Sequence, residues 1–169
     1  YYLIMNTGAA LVVQALEEVG VKLVFGIPGV HTTELFDELN NSKKIKPVLV
    51  THELSAAFMA DALGRSKTGI GALALVPGAG LTHAMSGIAE AFLDGIPMLV
   101  ITGGTRLDSG KSFQLHQIDQ IRLAEPITKK SIRITSHSEI KKTIFDAYCI
   151  ALAGNPGPLI VKAPAEILM

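Results

Sequence analysis

Glu53 is the residue of this 169-residue sequence best placed for acid–base chemistry. It ends the tripeptide Thr51-His52-Glu53, which follows an apolar run at 48–50 and precedes an alanine-rich helical pattern at 56–63. A carboxylate between a strand and a helix lies at the carboxyl edge of a parallel sheet, where open α/β folds bind ligands. A partly buried carboxyl there can donate or accept one proton. The helix dipole also favours an acid at this position without any chemistry, so position alone leaves both interpretations open.

A loop of small residues follows the next predicted strand, which covers 72–76. Its sequence is Pro77-Gly78-Ala79-Gly80-Leu81-Thr82-His83. Small residues before a helix allow close approach of a ligand to the backbone and favour anions. The pattern is neither the dinucleotide-binding G-x-G-x-x-G nor a P-loop, because no Gly-Lys-Ser/Thr follows. Many strand-to-helix turns of this kind bind nothing, but together with Glu53 the loop predicts a rim that faces a cofactor.

The five histidines show no spacing typical of a zinc site, so we expect no metal site within this chain. Their positions are His31, His52, His83, His116 and His137. His52 and His116 are predicted to lie on the functional rim, and His137 on the surface beside the last helix. No serine lies in a G-x-S-x-G elbow, which argues against a hydrolase.

The composition indicates one domain with a substantial core. Hydrophobic residues make up 49% of the chain and charged residues 18%. This excess suits a parallel sheet covered on both faces, or a buried interface, and we expect both. The 15 basic and 15 acidic residues balance, so no basic surface indicates nucleic-acid binding. No apolar run is long enough to span a bilayer, and no membrane partner is expected.

The start of the chain and its single cysteine carry two further expectations. Residues 1–5 have neither the basic region nor the cleavage site of a secretory signal, and we expect a tag or a disordered start there. The domain is predicted to cover 6–169. Cys149 is expected to be a small buried hydrophobe on a helix. A lone cysteine excludes an intramolecular disulfide, which makes the reducing cytoplasm the expected location.

Helical and strand patterns alternate along the whole chain. Helices are predicted from Asn6 or Thr7 to Gly20, at 32–39, from 53 to about 65, from about 82 to 93 and at about 117–123. A last helix is predicted to begin at a capping box formed by Ser136 and Glu139 and to run to 152. Strands are predicted at 21–27, 48–51, 72–76, 97–102, 131–134 and 159–161, with a mobile loop at 103–111. This alternation predicts an α/β fold with a single doubly wound, mostly parallel sheet and helices on both faces.

Several ordered motifs resemble one family. They are Val24-Phe25-Gly26-Ile27-Pro28-Gly29, then Thr51-His52-Glu53, then Gly78-Ala79-Gly80-Leu81-Thr82-His83. Later segments agree, namely Phe113-Gln114, Pro126-Ile127-Thr128-Lys129 and Pro156-Gly157-Pro158-Leu159-Ile160-Val161. Together they resemble the pyrimidine-binding domain of thiamine-diphosphate enzymes, and most closely the acetolactate synthase and pyruvate decarboxylase group. The resemblance runs from about Gly8 to Ile167.

The resemblance implies a role for each matching residue. Glu53 would be the catalytic acid that hydrogen-bonds N1′ of the cofactor's aminopyrimidine and favours its imino tautomer. Pro28 and Gly29 would approach the reacting carbon. The pyrimidine pocket would be lined by Gly78, Ala79, Gly80, Thr82 and His83, and the substrate side by Gln114 and His116. Two departures bear on substrate identity: the family often has Gly-Pro-Gly and then Asn where this chain has Gly78-Ala79-Gly80 and His83, and an acid after Phe-Gln where this chain has Leu115-His116.

The family's Gly-Asp-Gly motif, which binds the diphosphate through Mg²⁺, is missing from this sequence. The resemblance therefore implies half of a site for thiamine diphosphate, the pyrimidine end only, with Mg²⁺ bound by a domain outside this chain. It implies a lyase or transferase acting on a 2-keto acid, a homodimer, a pyrophosphate-binding domain in the same gene or in a partner subunit, and a chain that is inactive alone. The sequence decides neither the acceptor substrate nor a requirement for FAD.

Four interpretations stay open at this point. The chain is an excised domain of an acetolactate synthase-like enzyme, a subunit of a two-subunit 2-keto acid decarboxylase, a non-catalytic module that binds a nucleotide or an anion at 78–83, or a scaffold that only dimerises. A buried Glu53 favours the first two, whereas a solvent-exposed, unpaired Glu53 favours the scaffold.

Overall fold

One parallel sheet of six strands forms the centre of the computed structural model, which describes residues 6–111 and 113–169. The order of the strands across the sheet is β2-β1-β3-β4-β6-β5, and every pairing among the described residues is parallel. The strands are β1 Leu23–Gly26, β2 Lys46–Leu49, β3 Gly71–Leu75, β4 Met98–Gly104, β5 Lys130–Arg133 and β6 Pro158–Pro164. The tag or disordered start expected at 1–5 lies outside the described residues.

Helices cover both faces of the sheet. They are α1 Gly8–Glu18, α2 Thr33–Asn41, α3 Glu53–Arg65, α4 Ala79–Leu93, α5 Gln120–Ala124, α6 Ile140–Leu152 and α7 Ala165–Leu168. One core cluster packs α1, α2 and α6 against one face, and a second packs α3 and α4 against the other. The predicted doubly wound α/β fold is therefore confirmed. No helix of the described residues combines the length and apolarity needed to cross a bilayer.

The central strands β3 and β4 are buried at every position and largely apolar, because both of their faces are covered. In β3, Leu73 and Leu75 belong to the core beneath α3 and α4, whereas Ala72 and Ala74 belong to the core beneath α1 and α2. Alternate residues of a strand point to opposite faces, so an unbroken apolar run is what a doubly covered strand requires.

The start of α4 differs from its prediction. The helix begins at Ala79, not near Thr82, because the amide of Thr82 already bonds the carbonyl of Gly78 at 3.0 Å. Gly78 precedes the helix with φ 67°, a conformation that glycine adopts at little cost. The two glycines led to the prediction of a longer loop, but Gly80 lies within the first turn of the helix.

The prediction for Cys149 is wrong, since this residue is exposed. The buried residues of α6 are Ile140, Ile144, Ala147 and Ala151. Cys149 lies two residues after Ala147, about 200° further around the helix, and therefore points away from the core. The C-terminal helix α7 was also not predicted; it follows directly after β6, which extends to Pro164.

A close helix contact fixes α3 against α4. A Cβ atom on Gly87 of α4 would lie 2.6 Å from the Cβ of Ala57 on α3 and 3.1 Å from the backbone nitrogen of Phe58. The two helices therefore approach each other as closely as their backbones allow at this point. Since both helices begin at the carboxyl edge of the sheet, this contact sets the spacing between their first turns.

We expect Gly87→Val to lower the free energy of unfolding of the chain by about 1–3 kcal/mol, because the added methyl groups must displace α3. Urea denaturation measures the change. Ser86→Val is the matched control, since it places the same side chain on the adjacent, exposed position of α4. An equal loss in both variants would show that valine acts through helix propensity and not through the helix contact.

Candidate functional site

Glu53 is the first residue of α3, at the carboxyl edge of the sheet. It exposes only 9% of its surface. His52 caps the helix: its Nδ1 accepts a hydrogen bond from the amide of Leu54 at 3.1 Å. The cap fixes the direction in which α3 starts, and with it the position of the glutamate. The sequence-based expectation of a buried acid at this edge is thus met by the fold.

His83 is the hydrogen-bond partner of the buried carboxyl. Its Nδ1 lies 3.1 Å from Oε2 of Glu53 and donates to it. The His83 ring also stacks on the ring of His52, with centroids 4.9 Å apart and an angle of 28° between the planes. His83 is therefore held from two sides. The other carboxyl oxygen, Oε1, makes no hydrogen bond to the described residues, so Glu53 keeps one oxygen available for a ligand.

Two glycines pack against one valine near the carboxyl. A Cβ atom on Gly80 would lie 2.6 Å from Cγ2 of Val76 and 3.5 Å from Oε1 of Glu53. A Cβ atom on Gly29 would lie 2.7 Å from Cγ1 of the same valine. Val76 is therefore the common wall of the two predicted glycine sites. The sequence did not indicate this role, because only the fold brings the two glycines to the same valine.

The turn at Pro28 and Gly29 is fixed by hydrogen bonds to one carbonyl. The Gly29 oxygen accepts from the amide of Thr32 at 3.0 Å, from its hydroxyl at 3.1 Å and from the hydroxyl of Thr33 at 3.2 Å. Pro28 is exposed next to it. His31, in the same turn, has φ 68°. Its Nε2 is buried without a hydrogen-bond partner among the described residues, a feature that the sequence did not indicate.

The two predicted substrate-side residues behave differently. The side-chain amide of Gln114 donates to the carbonyl of Arg106 at 2.8 Å and that of Lys111 at 3.4 Å, so it stabilises its own loop. The backbone of His116, with φ 66°, lies against the glycine turn: a Cβ atom on Gly78 would be 2.9 Å from the His116 oxygen. The structure thus brings His116, but not the Gln114 amide, to the predicted rim.

The remaining predicted pocket residues are on the exposed side of the first turn of α4. Ala79 and Thr82 are both exposed. The hydroxyl of Thr82 donates to the carbonyl of Ala79 at 3.0 Å, a contact within the helix. Neither residue touches Glu53 through a hydrogen bond in the described part of the chain. The centre of the site therefore consists of the buried Glu53 and Gly80 and the half-buried Val76, with the exposed His83 beside them.

Groups of three or more His, Cys, Asp or Glu side chains that could hold a metal ion are not found within residues 6–111 and 113–169. Glu53 and His83 form a hydrogen-bonded pair of titratable side chains at this edge. Its carboxyl is shielded from water, holds one fixed partner and leaves one oxygen accessible, an arrangement that suits exchange of one proton with a bound ring nitrogen.

Fold and site together define an α/β domain that presents one buried glutamate beside a glycine turn. Residues 6–123 match the family model described as "Thiamine pyrophosphate enzyme, N-terminal TPP binding domain", thiamine pyrophosphate being another name for thiamine diphosphate. The chain belongs to this family. The resemblance stated from the motifs is confirmed.

Acetolactate synthases are among the relatives of this chain. It is 37% identical over 166 residues to "Acetolactate synthase isozyme 3 large subunit" of Escherichia coli. The aligned region covers 97% of this chain and 29% of that protein. It is 36% identical over 164 residues to the "Acetolactate synthase large subunit" of Lactococcus lactis, covering 96% and 28%. For the protein of the same name from Corynebacterium glutamicum the identity is 35%, with 95% and 26% covered. The chain thus spans less than a third of the length of these relatives.

We expect His83→Leu to lower the free energy of unfolding at pH 7 by about 1 kcal/mol, because the buried carboxyl loses its hydrogen-bond donor. His83→Asn retains a side-chain N–H and should lose less. Chemical denaturation of the three proteins under identical conditions gives the comparison. A leucine variant as stable as the parent would show that His83 does not stabilise the buried carboxyl.

Proposed function

We propose that this chain is the pyrimidine-binding half of a thiamine-diphosphate-dependent 2-keto acid carboligase or decarboxylase of the acetolactate synthase type. Glu53 is its catalytic acid. One observation carries the proposal: Glu53 is nearly buried, bonds His83 through Oε2 and keeps Oε1 unbonded beside Gly80. The family of the chain and the names of its relatives support the same assignment.

The residues present fit the aminopyrimidine end of the cofactor. A ring nitrogen needs a carboxyl oxygen that no other group occupies: Oε1 of Glu53 makes no hydrogen bond to the described residues, and it lies 3.5 Å from where a Cβ atom on Gly80 would be. A ring nitrogen also needs a carboxyl that is shielded from water, since a dry environment strengthens the shared hydrogen bond. When bound, thiamine diphosphate supplies a carbon nucleophile for the carbonyl of a 2-keto acid and an electron sink for decarboxylation.

Each residue of the site then has one task. Glu53 holds the proton at the ring nitrogen through Oε1. His83 fixes the orientation of the carboxyl through Oε2, and its stacking on His52 limits its own movement. Gly80 and Gly29 let the backbone of both turns pack directly on Val76.

The edge of the pocket involves the remaining predicted residues. Gly78 and Ala79 begin the turn that lines the ring, with Thr82 on its outer side, and Pro28 lies next to Gly29 at the entrance. His116 faces the glycine turn from the substrate side, with Gln114 in the same loop. These assignments follow from the family motif and from the positions described above.

The site is completed, in this proposal, by parts of the protein outside this chain. The diphosphate and Mg²⁺ belong to another domain or subunit, the enzyme is a homodimer, and the chain alone is inactive. The length of the relatives, of which this chain covers 29% or less, supports that arrangement. Exposed apolar residues on the loop at this edge, Leu107, Phe113 and Leu115, fit a covering surface. FAD and the acceptor substrate receive no assignment. We place the enzyme in the cytoplasm, in keeping with its single cysteine.

The alternatives find less support. A scaffold that only dimerises needs no buried, partnered glutamate, yet Glu53 is both. A nucleotide- or anion-binding module would use the turn at 78–83 without Glu53, and it does not account for the free carboxyl oxygen. A two-subunit decarboxylase shares all the chemistry proposed here and differs only in how the second domain is connected.

Glu53→Gln in the full-length protein should reduce turnover by several orders of magnitude, because an amide cannot transfer the proton. Glu90→Gln is the matched control, as Glu90 is an exposed acid on α4. Steady-state release of carbon dioxide from pyruvate measures both variants, and circular dichroism checks the fold. Full activity in Glu53→Gln would refute the proposed role.

The 169-residue chain by itself should bind thiamine diphosphate weakly or not at all, since it holds only the pyrimidine end of the site. Isothermal titration calorimetry with Mg²⁺ present gives the affinity. Submicromolar binding would contradict the half-site. Tight nucleotide binding instead, without thiamine-diphosphate activity after a partner domain is added, would favour the binding module.

A further inference from the structure

A second cleft lies at the carboxyl edge of the sheet, beside β5 and β6 rather than β1 and β3. Its volume is about 530 Å³, within the range of small-molecule sites. Three of its lining residues are basic, Lys111, Arg133 and Lys162, and one is acidic, Asp119. Since β1, β3 and β4 separate β2 from β6, this cleft is at the opposite end of the sheet from the strand that precedes Glu53.

Lys162 is the unusual residue of the cleft, because it exposes only 6% of its surface. It lies on β6 two residues after Ile160, which is part of the core beneath α3 and α4, so its side chain leaves the sheet on a buried face. Its stem packs over Gly104, where a Cβ atom would be 2.8 Å from Cε of the lysine. A buried ammonium group costs free energy unless an anion compensates it.

Positive charge exceeds negative charge among the residues that line the cleft. The register of the sheet pairs Lys162 with Arg133 of β5, so two cations are neighbours. Neither side chain makes an ion pair or hydrogen bond within the described residues. Asp119, which accepts from the amide of Arg122, and Glu166, which accepts from the amide of Leu107, both act on the lysine without forming an ion pair with it. Burial and Arg133 together lower the pKa of Lys162, against the opposite effect of the two acids.

We propose that Lys162 and Arg133 form a binding site for an oxyanion, the carboxylate or phosphate group of a ligand in this cleft. The planar guanidinium of arginine matches two oxygens of such a group, and the ammonium of Lys162 adds a point charge beside it. The oxyanion adds negative charge to a cleft whose lining holds three basic residues and one acidic residue. The site does not include Glu53, but it shares Leu107 and Phe113 with the loop that the proposed function places under a covering surface.

Methionine substitutions at Lys162 and Arg133 remove positive charge from the cleft, and we expect both variants to fold. Methionine keeps the apolar stem of lysine and removes the desolvated charge, so we expect Lys162→Met to fold and to melt at a higher temperature than the parent. Arg133 is exposed at the end of β5, and Arg133→Met provides a second variant. Lys130→Met is the matched control, because Lys130 lies three residues before Arg133 on the same strand and points to the other face.

The test titrates inorganic phosphate into the 169-residue chain at pH 7 and constant ionic strength, and follows the backbone amides of β5 and β6 by NMR. We expect saturable binding whose dissociation constant rises at least tenfold in Lys162→Met and in Arg133→Met and stays unchanged in Lys130→Met. Shifts that do not saturate, or that weaken equally in all three variants, would overturn the site.

The full-length protein distinguishes a free anion from a carboxylate that another part of the same protein supplies. With a free anion, the full-length protein binds phosphate as the chain does, and Arg133→Met weakens that binding. With an internal carboxylate, the full-length protein does not take up phosphate, and Arg133→Met lowers its melting temperature whereas Lys130→Met does not. The proposal is contradicted if the full-length protein does not bind phosphate and Arg133→Met also leaves its melting temperature unchanged.

Discussion

The hydrogen bond between the nearly buried carboxyl of Glu53 and the ring of His83 is the interaction that fixes the geometry of this edge of the sheet. Glu53 occupies the start of α3, and its partner His83 lies one turn into α4. The two helices that carry these side chains are in close contact at Gly87 and Ala57. The same two helices are therefore joined twice, by this close contact and by the polar pair at the carboxyl edge.

Much of the fold could be predicted from the sequence because its strands are buried on both faces. Such strands are apolar runs: β3 is apolar throughout, and β4 begins with the four apolar residues 98–101. The acid at Glu53 and the turn around Gly80 were also recognisable, since each follows directly after such a run. Both depend on local order in the chain, which a single sequence contains.

Residues whose role depends on neighbouring strands could not be found in this way. Val76 is one valine among many until the fold places two glycines on either side of it. Lys162 resembles an ordinary lysine near the end of a strand, and only the register of the sheet sets it beside Arg133. The start of α4 was placed too late because glycine suggests a loop, whereas here it makes room within a helix.

The exposure of Cys149 has a practical consequence. It is the only thiol of the 169-residue chain and lies on the outer side of α6, which covers the face of the sheet opposite α3 and α4. A maleimide fluorophore or a nitroxide attached there would report on this domain from a unique position. Because the sheet separates the label from α3 and α4, spectroscopic distances could be recorded while the carboxyl edge remains unmodified.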